Sequence, residues 1–166
     1  MINTENLTLI QPSMKYLEDL YKLHTNDEAT KYTPLGRHKD REDTARYIKN
    51  WQQHWKEHNF GYFLLQPKGQ DFVVGIVGYE YRFLNDQRFL NLYYRLLPDY
   101  TGQNYAYEVI SHIDEWMTNI DKETTKLIRT RINNKPSIKL AKRLEFLRDI
   151  SWNDIVNKGD ICFFKD

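Results

Sequence analysis

The hydrophobic positions of this chain switch repeatedly between a period of two and a period near that of a helix. Thr4 to Ile10 alternates Leu7 and Leu9 with polar neighbours and predicts an opening strand. Pro12-Ser13 then introduces a helix: Ser13 is a capping residue type, and Met14, Leu17, Leu20, Tyr21 and His24 fall on one helical face. Thr25 to Gly36, punctuated by Pro34 and Gly36, predicts a loop. A second helix follows from Arg41 to Glu57, with Ala45, Ile48, Trp51, Gln52 and Trp55 as its stripe. Asn59 to Gln66 reads as a strand closed by the turn residues Pro67 to Asp71. Phe72 to Leu84 is a longer strand whose Gly75 and Gly78 mark a bulge or a close backbone approach. Asn85-Asp86-Gln87 turns the chain into Phe89 to Leu97, completing an antiparallel meander of three strands.

The second half alternates helix and strand. A helix is predicted from Tyr105 to Thr118 and a β-branched strand from Lys126 to Ile132. Asn133-Asn134-Lys135-Pro136 opens a further helix carrying Ile138, Leu140, Ala141 and Leu144, with Pro136 near its first turn. Two short strands, Leu147 to Ile155 and Asp160 to Phe164, close the chain and are joined by Asn157-Lys158-Gly159. With no repeat, linker or low-complexity stretch, a single domain over residues 1–166 is expected.

Composition narrows the function classes without choosing one. Lys and Arg number 24 against 23 Asp and Glu, a formal net charge of +1, which argues against a strong electrostatic commitment to nucleic acid or to a membrane. A lone cysteine, Cys162, excludes an internal disulfide framework and suits a reducing compartment. No apolar run is long enough for a membrane span and no signal-peptide core opens the chain, so a cytoplasmic location is expected. The 12 tyrosines and 4 tryptophans fit a binding cleft or simply a filled core.

The most informative segment is Leu92 to Glu108, an apolar strand broken at Pro98, a short turn and an amphipathic helix. Backbone N–H groups at such a helix start suit phosphate. Gly102 and Asn104 are the residue types that best tolerate positive φ, which curls a turn into an anion-binding nest. An ordinary strand–turn–helix connection is the alternative reading of the segment alone.

The order β-α-α-β-β-β-α-β-α-β, with this turn after the fourth strand, resembles the GNAT superfamily of N-acetyltransferases. It looks most like the branch of ribosomal-protein N-terminal (alanine/serine) acetyltransferases. Three segments carry the resemblance: Val74-Gly75-Ile76-Val77-Gly78, the strand, loop and helix of Tyr94 to Glu108, and the helix Asn134 to Phe146. The resemblance implies an α+β fold (α/β by some schemes) with a mixed central sheet, splayed between the fourth and fifth strands and flanked by about four helices. It also implies acetyl-coenzyme A at that splay as co-substrate, with no metal. The backbone of the fourth strand, Leu96 and Leu97 included, would pair with the pantetheine arm. Thr101, Gly102, Gln103, Asn104, Tyr105, Ala106 and Tyr107 would hold the pyrophosphate, Asn134 the pantetheine amide, and Ser137 would lie near the sulfur. The sequence departs from the family pattern at several points. Thr101 replaces a long polar residue of the loop, Asn104 its central glycine, and Glu145 the glycine before the helix's final Phe. Ala141 stands where many relatives have a Tyr acid, and Asn91 where the branch often has Glu.

Acetyl transfer to an amine needs a proton acceptor, donors for the oxyanion and an acid for the departing thiolate. Glu80, following Gly78 on the central meander beside Tyr79 and Tyr81, is the candidate base; a solvent-facing strand residue is the alternative. Ser137 is the candidate acid, or else a local helix cap. The helix before Asn59 and the loop preceding it border the family's acceptor pocket, which singles out Tyr32, His38 and Trp55 there, together with Tyr94 on the fourth strand. His24 reads as packing, His54, His58 and His112 as helix-surface residues, and Cys162 as buried. The expected function is N-acetylation of a primary amine, either a protein N-terminus or a small molecule, with a homodimer as a possible assembly. A degenerate module that binds an acyl-coenzyme A or a protein partner without turnover is the competing class. An aromatic nucleic-acid binder would need a basic excess that the chain lacks.

Overall fold

A computed structural model describes all residues from Met1 to Asp166. The chain forms an eight-stranded mixed sheet in the order β1-β2-β3-β4-β5-β6-β8-β7, and it divides into two compact units. The first comprises residues Met1–Gly78 and Tyr93–His112, the second Tyr79–Leu92 and Ile113–Asp166. The two ten-residue strands β4 (Gly75–Leu84) and β5 (Gln87–Leu96) each contribute to both.

The first unit opens with a strand the periodicity does not announce, β1 (Ile2–Asn3), paired antiparallel with β2 (Leu7–Ile10). The strands read from sequence as fourth and fifth are therefore β5 and β6. Ser13 accepts from the Lys15 N–H at 3.2 Å and starts a 3-10 turn that runs into α1 (Leu17–Thr25). Asp40 caps α2 (Arg41–His58) through the Asp43 N–H, and Asn59 ends it in the left-handed region at φ 62°. β3 (Tyr62–Pro67) pairs antiparallel with β2 and with β4. Tyr16, Leu20, Leu23, Ile48, Trp51, Tyr62, Leu64 and Ile76 form the core, the apolar faces of α1 and α2 meeting one face of the strands. Gly78 sits at φ 151°, and a Cβ there would stand 2.6 Å from the Gly61 carbonyl oxygen, so the close approach expected from sequence is present.

In the second unit the hairpin turn Asn85-Asp86 takes φ 51° and 63°, left-handed at both central positions as a two-residue hairpin demands. β5 pairs in parallel with β6 (Lys126–Arg131) only at Leu90–Lys126 and Asn91–Leu127, which is the expected splay. α4 (Lys135–Arg143) follows, capped by Asn134, with Pro136 in its first turn. The predicted strand from Leu147 to Ile155 shrinks to β7 (Leu147–Arg148), because Asp149 caps a 3-10 turn at Ile150–Trp152 and draws the chain out of the sheet. β8 (Asp160–Lys165) lies between β6 and β7, antiparallel to both. Phe89, Leu127 and Cys162 are buried together against Trp152, Ile155 and Phe164. α3 (Tyr105–Thr118) begins in the first unit and ends in the second. No helix is long and apolar enough to cross a membrane.

Candidate functional site

In the first unit the segment after β5 has the geometry that its glycine and asparagine suggest. Pro98–Tyr100 forms a single 3-10 turn, Thr101–Asn104 is exposed, and Gly102 and Asn104 adopt φ 72° and 67°. Thr101 Oγ1 donates to the Pro98 carbonyl and Gln103 Nε2 to the Asp99 carbonyl, each at 2.7 Å, so both side chains brace the turn from within. A Cβ placed at Gly102 would meet no atom within 4 Å, which leaves the mouth of the turn open. The first α-helical bond of α3 runs from the Glu108 N–H to the Asn104 carbonyl at 3.0 Å. The N–H groups of Tyr105 and Ala106 therefore have no acceptor inside the helix. Glu108 itself is drawn away to the chain's start, accepting from Thr4 Oγ1, the Asn6 N–H and Asn6 Nδ2. Burial alone would raise its pKa, but those hydrogen bonds outweigh it and hold it below the ordinary carboxylate range.

The acceptor-side candidates of the same unit fall into different environments. His38 is buried and stacked between His24, at 4.1 Å between ring centroids, and Tyr47, at 4.4 Å. Its Nδ1 lies 2.7 Å from Thr44 Oγ1. His24 packs as its helical position implies: Nδ1 donates to the Leu20 carbonyl at 2.8 Å, so Nε2 accepts from the Tyr93 hydroxyl at 3.2 Å. Burial drives the His24 pKa down to about 3, helped by His38 and Arg95. Burial likewise takes His38 to about 4, with Asp43 pulling up and Arg95 pushing down. Trp55 packs over Gly61 and donates from Nε1 to the Tyr62 carbonyl at 2.7 Å, an anchoring role alongside any contact with an acceptor. Tyr32 and Tyr94 are half-buried, Tyr32 beneath the Lys31 ammonium.

The sequence pattern does not single out Arg95, which sits among them. It is only 6 % exposed, its Nη2 donates to Thr33 Oγ1 at 2.5 Å, and its Nη1 has no hydrogen-bond partner. Its one signal in the sequence is a charge inside the otherwise apolar run Leu92 to Leu97.

The second unit holds the other candidates. Glu80 is 3 % exposed; Oε1 accepts from Arg82 Nη2 at 3.0 Å, while Oε2 is buried without a partner. Burial raises its pKa to about 7, with Arg82 opposing. Tyr79 and Tyr81 do not line this carboxylate: strand alternation turns their hydroxyls to Asp114 and Asp121. Asn134 Oδ1 accepts from the Ser137 N–H at 3.2 Å, so Asn134, rather than Ser137, caps α4. Ser137 and Ala141 are buried on one face of that helix. Glu145 takes φ 67°, a left-handed conformation in the place of the resemblance's glycine. Cys162 is fully buried, and burial raises its thiol to about 11. No group of three or more His, Cys, Asp or Glu residues could hold a metal ion.

Comparison with known proteins adds the lineage. The model for the acetyltransferase (GNAT) domain matches residues 6–147. No curated protein matches. Among solved structures, a putative GNAT-family acetyltransferase from Bordetella pertussis superposes with a TM-score of 0.84 at 17% identity, covering 99% of this chain and 98% of the other. A putative ribosomal-protein-serine acetyltransferase from Vibrio cholerae gives 0.74 at 19% identity over 99% and 95%. A spermidine N-acetyltransferase from the same organism, in complex with CoA and spermine, gives 0.72 at 14% over 95% and 92%. Those identities speak for the fold, and the domain match covers most of the chain: it belongs to the GNAT acetyltransferase family.

Proposed function

We propose that this chain is an N-acetyltransferase, moving the acetyl group of acetyl-coenzyme A to a primary amine by direct attack in a ternary complex, with residues 1–166 acting as one domain. The observation that carries the reading is the open, left-handed turn at Gly102 and Asn104 leading into the N-terminus of α3. Backbone donors and the helix dipole there fit a pyrophosphate without any side-chain cation. Gly102 to Tyr107 would hold the phosphates, the backbone of Leu96 the pantetheine arm, and Asn134 its amide. Thr101 would shape the turn rather than donate, since its N–H and hydroxyl both go to the Pro98 carbonyl, and the Leu97 N–H goes to the Val74 carbonyl. Within the family we favour the ribosomal-protein N-terminal acetyltransferase branch, to which the fold likeness to the Vibrio cholerae protein lends support. The protein would act in the cytoplasm, with a protein N-terminus or a small amine as acceptor and a homodimer as its candidate assembly.

In the proposed mechanism Glu80 takes the ammonium proton, directly or through one water. Its pKa, raised by burial to about 7, suits that task, because a carboxylate titrating near neutral pH is basic enough to accept a proton from an ammonium. The amine then attacks the thioester carbonyl, whose oxygen gains charge that backbone N–H groups can meet. As the carbon–sulfur bond breaks, the Ser137 hydroxyl gives its proton to the sulfur and is reprotonated from solvent. The extra proton on the attacking nitrogen passes to solvent to leave the neutral amide, and Glu80 releases the proton it took before the next turnover. Tyr32, His38, Trp55 and Tyr94 would shape the acceptor side. Holding amine and thioester in register contributes several kcal/mol by proximity alone.

A second reading, an acyl-coenzyme A binder without turnover, is favoured by Thr101, whose hydroxyl is engaged within the turn, and by the buried Ala141 in the acid's usual place. Calorimetry with acetyl-coenzyme A and coenzyme A, followed by assay of amines and peptides for acetylation, decides the matter. Micromolar binding with turnover is expected, and Asn104→Gly should tighten binding by removing a left-handed Cβ. Binding without turnover on any amine establishes the second reading; no binding at millimolar cofactor overturns both.

A further inference from the structure

Arg95 is the one buried cation of the first unit that is left without an anion. It makes no ion pair, and two carboxylates of the same unit are committed elsewhere: Asp43 to the Lys39 N–H and Arg46, Asp27 to Arg37. The guanidinium stands over the Tyr93 ring at 5.7 Å, and Thr33 fixes one arm of its fork. The other arm, Nη1, is buried and unused. The two neighbouring histidines are held neutral, so they offer it neither charge balance nor a second cation. Burying a charged group with an unmade hydrogen bond is costly, and a bound anion that completes it offsets that cost. An exposed turn lies beside the Thr33-bound arm. The 3-10 turn Pro34–Gly36 contains no buried residue, Leu35 is 91 % exposed, and a Cβ on Gly36 would stand 3.4 Å from Arg95 Nη2.

We propose that Arg95 is the anion-binding residue of the acceptor site, and that the acceptor is an amine bearing a carboxylate. The source of that carboxylate is a free amino acid or an acidic first residue of a peptide. Arginine suits the role because it stays charged when buried, and Nη1 can give a carboxylate a charge-assisted hydrogen bond while Thr33 holds Nη2. Thr33 presets the fork's orientation, so less freedom is lost on binding. This assignment rests on the acetyltransferase reading above and narrows its substrate class; a polyamine, all positive, is the acceptor it disfavours.

The test compares amines that differ only in the carboxylate: alanine with alaninamide, and an aspartate-initiated dipeptide amide with its asparagine counterpart. Each is assayed at matched free-amine concentration for acetylation, and separately for the shift it causes in thermal unfolding without acetyl-coenzyme A. The wild type should favour the carboxylate member of at least one pair by about tenfold or more, as a charge-assisted hydrogen bond implies. Which pair shows it identifies the source. Arg95→Met should bring that ratio close to one, and Arg95→Lys should leave an intermediate value. Equal use of both members of each pair, or a preference that survives in Arg95→Met, overturns the inference. Should no amine be acetylated, the unfolding shift still decides. A carboxylate-dependent shift lost in Arg95→Met upholds the anion site while the acetyltransferase reading falls. No such shift overturns the site as well. If Arg95→Met does not fold, the wild-type pairs and Arg95→Lys decide in the same way.

Discussion

Glu80 and Arg95 are two buried charges with one unmade hydrogen bond each, and their neighbours set opposite consequences. For Glu80, the partly exposed Arg82 fails to offset burial, so the carboxyl keeps its proton up to about pH 7. A base of that pKa gives a rate that rises with pH through about 7 and then levels. Glu80→Gln should abolish this limb of the kcat/KM profile and lower the plateau by roughly 10²-fold or more; an unaltered profile removes Glu80 from the base's role. The sequence names Glu80 as a candidate by its place after Gly78 and leaves a solvent-facing residue as the alternative; neither its burial nor the cause of its shift is legible there. Tyr79 and Tyr81 flank it in sequence and face away in space, and what raises the pKa is the desolvation of a strand buried on both faces. Arg95 was illegible for a related reason. A charge in an apolar run reads as a solvated edge until the segment around Thr33, sixty-two residues away, is folded over it.

Among the elements, the long amphipathic ones were readable and the short ones were not. The stripe of α2 predicted Ile48 and Trp51 in the core, and both are there. A short strand is expected around Leu147 to Ile155, yet Asp149 offers its carboxylate to the Ser151 N–H, and this local bond competes with the sheet. α4 shows the same competition at its end. Its last turn closes with the Phe146 N–H on the Ala141 carbonyl at 3.0 Å, a pattern that requires a left-handed residue at Glu145. Glutamate bears there a conformational cost that glycine avoids, of about 1 kcal/mol. Glu145→Gly should therefore raise the urea midpoint by an amount worth about 0.5–1 kcal/mol. A lower midpoint would mean that the Glu145 side chain supplies a compensating contact.

For the whole molecule, pH acts on stability through groups whose shifts have opposite signs. His24 and His38 fold with pKa values near 3 and 4, below the ordinary 6.5, so their burial favours folding fully above pH 6.5 and loses that advantage as pH falls through those values. Glu80, raised to about 7, favours folding most below its ordinary 4.5 and loses that contribution as pH rises through 7. The urea midpoint of His38→Gln should fall less between pH 6.5 and 4 than that of the wild type, the Glu80 contribution being common to both. Parallel curves would place the acid sensitivity elsewhere. The sulfur of Cys162 bears on how any of this would be measured. It is the only thiol in the chain, sealed in the core and protonated far above neutrality, so a chromogenic disulfide reagent will find nothing to cleave it in the native protein. Every equivalent of colour released during turnover would then belong to coenzyme A, and a slow rise without substrate would count molecules that have opened.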